Sequence, residues 1–365
     1  MSKFNHGLDS FFLKEFKVSL QHADKYFIKL SDDKWFSPGG NNGPHFAIES
    51  PVRNTCHWIV ALLIGYKLFN DKELLTKSQK LGRWLLESNN FYRQGCYVMR
   101  QTKSTDCVNG VIGPAWVLEA LARLKRYADN QLAMDRAESI IKTLEYNAKE
   151  GGWCRYDPFV GKFSVDYTYD HQAWLAAALN DCGQRDDVKS FIDSLSAGSY
   201  EVDASGRIFH LLKTNSLKGR LLAYRYKKKS RLVEDVEIGY HLYCLYPLAR
   251  LAMAYSEHDF FSSSKIKSSL KYCTFDNISK MERSRYGFTY NAPGLELPMI
   301  YSVFGDQMPI GKDEVFAVYK RQLEITGDFD SKLHVNNNPD PMTMVARIYE
   351  LAMFLEMSTE ASNTN

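Results

Sequence analysis

The chain has 365 residues, 45% of them hydrophobic and 24% charged, which supplies a sizeable core and excludes collagen-like, disordered and disulfide-scaffold classes. Its 46 Lys and Arg against 43 Asp and Glu leave a net charge of +3, too even for a dedicated nucleic-acid binder, so any attraction to anions must be local. The seven cysteines (Cys56, Cys96, Cys107, Cys154, Cys182, Cys244 and Cys273) form no CxxC pair and are expected as free thiols in a reducing compartment.

In chain order, residues 1–16 mix Lys3, His6, Asp9, Lys14 and Glu15 with apolar residues and lack the uninterrupted apolar core of a signal peptide. The longest apolar run, 58–65, is far short of the roughly 20 residues that span a bilayer. A cytoplasmic protein without membrane insertion is the expectation. A unit then recurs: a short polar motif opens a helix that is apolar nearly all round, and an amphipathic helix follows. The six openings are Arg53-Asn54-Thr55-Cys56-His57-Trp58, Asp106-Cys107-Val108-Asn109-Gly110, Tyr169-Asp170-His171-Gln172, Tyr240-His241, Tyr290-Asn291-Ala292-Pro293-Gly294 and Asn338-Pro339-Asp340-Pro341. From Asn54 through Asn109, His171, His241 and Asn291 to Asp340 the steps are 55, 62, 70, 50 and 49 residues, each room for two helices and their loops.

The helices after these motifs, near 59–69, 115–124, 173–179, 242–255, 297–304 and 344–355, are apolar on every face and must be buried. Their partners, such as 72–87, 131–149 and 312–325, keep one wet face, and the amphipathic stretch 8–30 is placed to close the circle. The expected fold is therefore all-α, an (α/α)6 toroid of six inner and six outer helices in one domain over 1–365. Residues 198–236 interrupt the pattern with Arg207, Lys213, Lys218, Arg220, Arg225, Lys227, Lys228, Lys229 and Arg231 among Tyr200, Phe209, Tyr224 and Tyr226. Alternation at 207–211 and 222–226 predicts a small β-hairpin, either a solvated basic run or a basic lid over an acidic ligand.

If the inner helices run parallel, their opening motifs gather at one end, where helix amino termini favour anions. Asn54, Asn109 and Asp340 suit N-caps as well as a site. Aromatic residues crowd the same motifs. Trp84, Trp116 and Trp174 are expected in the core, whereas Trp153 and Tyr156, in the loop Gly151-Gly152-Trp153-Cys154-Arg155-Tyr156, are candidates to stack on sugar rings.

Asn109-Gly110-Val111-Ile112-Gly113-Pro114-Ala115-Trp116, the Gly-Gly-Trp loop, Tyr169-Asp170-His171-Gln172-Ala173-Trp174 and the six helix pairs together resemble the (α/α)6-toroid carbohydrate enzymes from about residue 53 to 355. That group includes uronate polysaccharide lyases, unsaturated glucuronyl hydrolases, sugar epimerases and glucuronyl C5-epimerases. The chain lacks the late-helix His-x-x-Glu of the acylglucosamine epimerases, so it departs from that family.

The resemblance implies an enzyme acting on an acidic, uronate-containing glycan. Abstracting the proton beside a carboxylate, in a lyase or C5-epimerase, needs a base and donors that neutralise the carboxylate. His171 or Tyr240 would move the proton, with Arg53, Asn109 and His241 on the carboxylate and Lys213, Arg220 and Arg225 shielding it. Asn54, His57, Trp153, Tyr156, Tyr169, Asn291 and Asp340 complete the expected binding surface. One alternative is a hydrolase that draws two carboxylates from Asp106, Asp170, Glu237, Glu296 and Asp340. The other is a non-catalytic glycan-binding toroid. Cys56-His57 with Trp153-Cys154 resembles the zinc ligands of lanthionine cyclases only superficially, because the order is reversed and no third ligand is marked. Asn336, Asn337, Asn338 and Asp340 lack the EF-hand spacing and are expected as turn and cap. No metal and no cofactor are expected.

Overall fold

The structure is a computed structural model and describes residues 6–101, 106–214, 216–228, 230–327 and 338–363. The first half contains α1 (His6–Gln21), β1 (Ile28–Ser31), β2 (Lys34–Phe36), α2 (Val52–Phe69), α3 (Lys72–Glu87), β3 (Tyr92–Arg93), β4 (Cys96–Tyr97), α4 (Ile112–Ala128) and α5 (Gln131–Ile141). The strands β5 (Glu145–Asn147), β6 (Gly152–Asp157) and β7 (Lys162–Val165) then lead into α6 (Tyr169–Asp181), α7 (Arg185–Ser194), α8 (Leu217–Lys227) and α9 (Ser230–Ala254). The chain finishes with α10 (Ser264–Tyr272), α11 (Phe275–Lys280), α12 (Pro293–Phe304), α13 (Lys312–Thr326), α14 (Pro341–Ala346) and α15 (Ile348–Asn363).

Six helices close a ring, because α2 packs on α4, α4 on α6, α6 on α9, α9 on α12, α12 on α15 and α15 back on α2. Their interiors are almost wholly buried: every residue of α2 from Val52 to Gly65 and of α6 from Ala173 to Leu179 is shielded from water. Outside them, α3 covers α2, α5 covers α4, α7 covers α6 and α13 covers α12, α10 docks on α9 through His241 and Ser269, and α1 packs on α15 and α2 to fill the remaining place. This is the (α/α)6 toroid that the apolar and amphipathic periodicities imply. Outer helices begin where the sequence offers caps: Asp71 accepts from Glu73 N, Asn130 from Ala133 N and Ser263 from Ile266 N. All seven cysteines are free.

Several elements differ from expectation. The fourth inner helix starts at Ser230, so Tyr240 and His241 lie in its middle and not at its opening. The Gly-Gly-Trp segment is strand β6, paired antiparallel with β5 and β7 in register Cys154↔Val165. Between α7 and α9, Val202 bridges Ile208 across a turn closed by Asp203, a hairpin-like loop, whereas 217–227 is helix α8 and not a second strand. The helix wins there because Ser216 caps Gly219 N and the helix docks on α9. Asn336, Asn337 and Lys229 lie outside the described residues.

Candidate active site

Four segments that open or precede inner helices meet the middle of α9 and the loop before α8 around a cavity of about 180 Å³. Asn42 and His45 come from the loop before α2, and Arg53 from its first turn. Arg100, Asn109, Ile112 and Trp116 come from the approach and start of α4, and Thr168, Asp170 and His171 from the start of α6. His210 precedes α8, Tyr240 and Tyr243 face inward from α9, and Tyr290 and Asn291 lead into α12. The volume is small beside the about 300–1,000 Å³ of drug-sized pockets and suits a single sugar ring.

Two histidine–carboxylate pairs stand on this wall. His171 Nδ1 is 2.8 Å from Asp166 Oδ2, and Asp166 also accepts from the backbone N–H of Val111 and Thr168. Burial opposes charge on both members, but each favours the other's charged form, and the result is a raised His171 pKa and an Asp166 carboxyl far below the usual range. With Nδ1 directed at Asp166, the other ring nitrogen is free to work on a ligand. Gly110 makes this possible: at φ 59° its missing Cβ leaves room for Asp166 Oδ2 and His171 Nδ1, with which any Cβ would collide.

The second pair is looser. His210 Nδ1 lies 3.0 Å from Asp170 Oδ1, at ion-pair distance but off the line of a hydrogen bond. Burial alone would raise the Asp170 pKa, and His210 with His171 outweighs it, so the carboxyl is lowered. Cys244 lies behind, its sulfur, Asp170 and His210 all within 4.8 Å of one another. Burial first, then Asp170, pushes that thiol well up, so the cluster is a histidine–carboxylate pair backed by a neutral thiol. It is the one group of three potential metal ligands among the described residues, and neither Cys56-His57 nor Trp153-Cys154 belongs to it.

Across the cavity, Arg53 lies on the face of Trp116, 4.2 Å from the ring centroid, and donates to both oxygens of Glu49 at 3.3 Å. Arg100 donates to Asn109 Oδ1 and, at 3.4 Å, to Asp106. His45 Nε2 is 3.4 Å from the Tyr240 hydroxyl, and burial holds its pKa at about 4, so it is neutral at pH 7. Burial first, then Tyr290, pushes the Tyr240 phenol well up, leaving it a proton donor. Behind Asn291, the buried Arg347 donates to Asn291 Oδ1 and bridges Glu296 and Glu350.

Of the residues expected from sequence, the fold brings together Arg53, Asn109, Asp170, His171, Tyr240 and Asn291. Others it places elsewhere, for physical reasons. His57 is fully buried and stacked on Tyr349 at 4.0 Å. His241 is a core histidine that accepts from Ile208 N, contacts Ser269 O at 3.0 Å and docks α10 on α9. Burial lowers its pKa to about 4. Trp153 is buried between Tyr146 and Phe191, and Tyr169 against Tyr200, so neither offers a ring to a sugar.

Asn54 holds Pro38 O, and Asp340 caps α14 while accepting from Asn41 N and Gly43 N. Tyr156 bonds to Gln94 at the surface. Asp106 is occupied by Arg100, Arg155 at 2.9 Å and Gly110 N. Lys213, Arg220 and Arg225 are exposed and do not line the cavity. Sequence reasoning missed His45, Arg100 and Asp166 and read His210 as a hairpin residue. The Gly- and Asn-rich run before His45 and the Asp five residues before His171 were the available signals.

No family model matches the chain. It is 28% identical over 341 residues, 86% of its length and 90% of the relative's, to archaeal glycosylation protein Q of Haloferax volcanii. Among solved structures it resembles a D-mannose isomerase (TM-score 0.61, 13% identity, 96% of this chain and 98% of that one). Cellobiose 2-epimerase from Bacillus thermoamylovorans B4167 follows at TM-score 0.57 and 11% identity, over 94% and 99% of the two chains. An unsaturated glucuronyl hydrolase specific for heparin gives TM-score 0.54 and 13% identity, over 98% and 99%. At these identities the likeness is one of fold.

Proposed function

We propose that this protein is a carbohydrate-processing enzyme that binds a sugar carboxylate in the cavity and moves the proton on the carbon beside it, as a lyase or C5-epimerase does. One observation carries the reading: the wall that meets a ligand holds two guanidiniums, three imidazoles and three amides, whereas Glu49, Asp106 and Asp166, which balance them, stand behind it. Asp170 is the single carboxylate on that wall among the described residues. A carboxylate ligand therefore meets donors, and among the described residues no two acids face each other across the cavity as hydrolysis needs. The relative's name, a glycosylation protein, agrees with a glycan as substrate, and one neighbour's, a glucuronyl hydrolase, with an acidic one.

In this mechanism the sugar carboxylate lies against Arg53 and Arg100. The free ring nitrogen of His171 takes the C5 proton while Nδ1–H stays on Asp166, which orients the ring and stabilises its charged form. Negative charge then grows on the carboxylate oxygens, where the guanidiniums and Asn109 receive it, and loss of one such donor typically costs about 10²–10³ in rate. The Tyr240 hydroxyl, beside neutral His45, supplies a proton either to C5 from the other side or to the departing oxygen at C4. Incubating the protein with uronate oligosaccharides in D₂O separates the outcomes. Conjugated-enoate absorbance marks a lyase, and deuterium at C5 without cleavage marks an epimerase. Cleavage by addition of water that persists in His171→Ala and disappears in Asp170→Asn would replace the mechanism with hydrolysis.

A further inference from the structure

We propose that the outer face of α8 seats the protein on an anionic lipid surface, with the cavity mouth next to the bilayer. This inference stands on α8 itself and holds whichever reaction the cavity performs. Leu217, Leu221 and Tyr224 lie on one exposed stripe at helical spacing, and they are 86%, 47% and 57% accessible. An apolar side chain exposed singly needs no explanation, but three on one stripe of a helix make a contiguous apolar face, the kind that marks an interaction surface. The helix is anchored all the same: Ser216 caps it, Gly219 is buried and its inner side packs on α9.

Charge decides what covers the stripe. Lys218, Arg220, Arg225 and Lys228 are exposed on the same helix and at its end. The stretch between Asp203 and Glu234 holds nine Lys and Arg and no acid, so in a chain of net charge +3 the remainder is net negative. A short apolar stripe flanked by cations is the form of a helix that lies in a headgroup layer, where leucines enter the acyl boundary and lysines and arginines meet anionic phosphates. A two-fold contact of this face with that of a second copy would bring cations against cations, and a neutral apolar partner would leave them uncompensated. No helix among the described residues is long and apolar enough to cross a membrane, so attachment is peripheral.

The position favours the same partner. His210 lines the cavity, Leu211 bridges the cavity residue Thr168, and Lys218 lies over the ring of Tyr167, so α8 starts at the mouth. Another strongly exposed apolar side chain, Phe46 at 79% accessible, follows the cavity residue His45.

The test is co-sedimentation of the full chain with vesicles of phosphatidylcholine alone or mixed with phosphatidylglycerol, at low and high salt. Binding to the mixed vesicles only, weakened by salt, is expected. Leu217→Ser/Leu221→Ser/Tyr224→Ser should lower the bound fraction at least about tenfold and Lys218→Glu/Arg220→Glu/Arg225→Glu should abolish it, with circular dichroism unchanged. Failure of the wild type to bind mixed vesicles overturns the proposal, as does binding by both variants undiminished from the wild type. Concentration-dependent dimerisation or RNA binding that the same substitutions remove, without vesicle binding, assigns the face to another partner and also overturns it.

Discussion

The two ends of the ring solve the problem of buried charge in opposite ways. At the end where the inner helices finish, Arg123 is shared between Glu356 at 2.6 Å and Asp181 at 3.0 Å, Arg250 between Asp181 and Glu119, and Tyr127 donates to Glu356. The cations there meet carboxylates from facing helices and little faces empty space. At the end where the helices begin, Arg53, Arg100, His171 and His210 also have carboxylates, but the pairs stand around a cavity and present their donor side to it. Charge closed on itself holds helices in register, whereas charge aimed at a space is arranged for a ligand.

Four substitutions bear on this contrast, the largest effect first. His171→Ala is expected to lower turnover per folded molecule by about 10²–10⁴ and, because it takes the partner from the buried Asp166, to lower the urea midpoint as well; retained turnover per folded molecule would move the chemistry away from this end. Arg123→Met leaves Glu356 and Asp181 short of a partner and should cost about 3–5 kcal/mol of stability. Turnover per folded molecule should hold, and a loss of activity without loss of stability would mean that the closed end is not merely structural. Gly110→Ala drives a methyl group into the Asp166–His171 pair and, by displacing the imidazole, should cost about 10² in kcat. A crystal structure of that variant with an unmoved His171 would refute the packing argument.

Asp166→Asn gives the smallest and most diagnostic change, read in the pH profile of kcat/KM. Asp166 raises the His171 pKa, so a rate that needs the neutral imidazole climbs with pH through a point higher than that of an unpaired histidine. Removing the carboxylate should move that limb to lower pH and lower the plateau. The pair's linkage to folding has two signs. The raised His171 contributes stability below its unfolded value, near about 6.5, and that contribution is lost as pH rises through the folded value. The depressed Asp166 contributes above its own unfolded value, near about 3.9, and loses it as pH falls through the folded one. A limb that stays put in Asp166→Asn would show that His171 does not set it.

The ring was legible because burial on every face and burial on one face leave different periodicities, and six alternations of the two leave few architectures. The polar openings were also legible as a class, since inner helices that run parallel carry their first turns to one place. What distinguishes His171 from His57 and His241 is invisible in that pattern. All three follow aromatic or polar neighbours at the expected spacing, yet one ring faces the cavity, one stacks on Tyr349 and one bonds Ser269 O.

The sequence by itself determined the helix periodicities, the count of inner and outer helices and the free state of the thiols, because these depend on local pattern and composition. Only the tertiary structure decided which side chains share the cavity. Asp166 lies five residues from His171, but Arg100, His45 and His210 reach it from separate loops, and whether a polar side chain there meets solvent, a carboxylate or a core ring depends on where the facing helix stops. The fourth inner helix shows this most directly. By starting at Ser230 it carried Tyr240 onto the cavity wall and turned His241, the next residue, into the contact that holds α10.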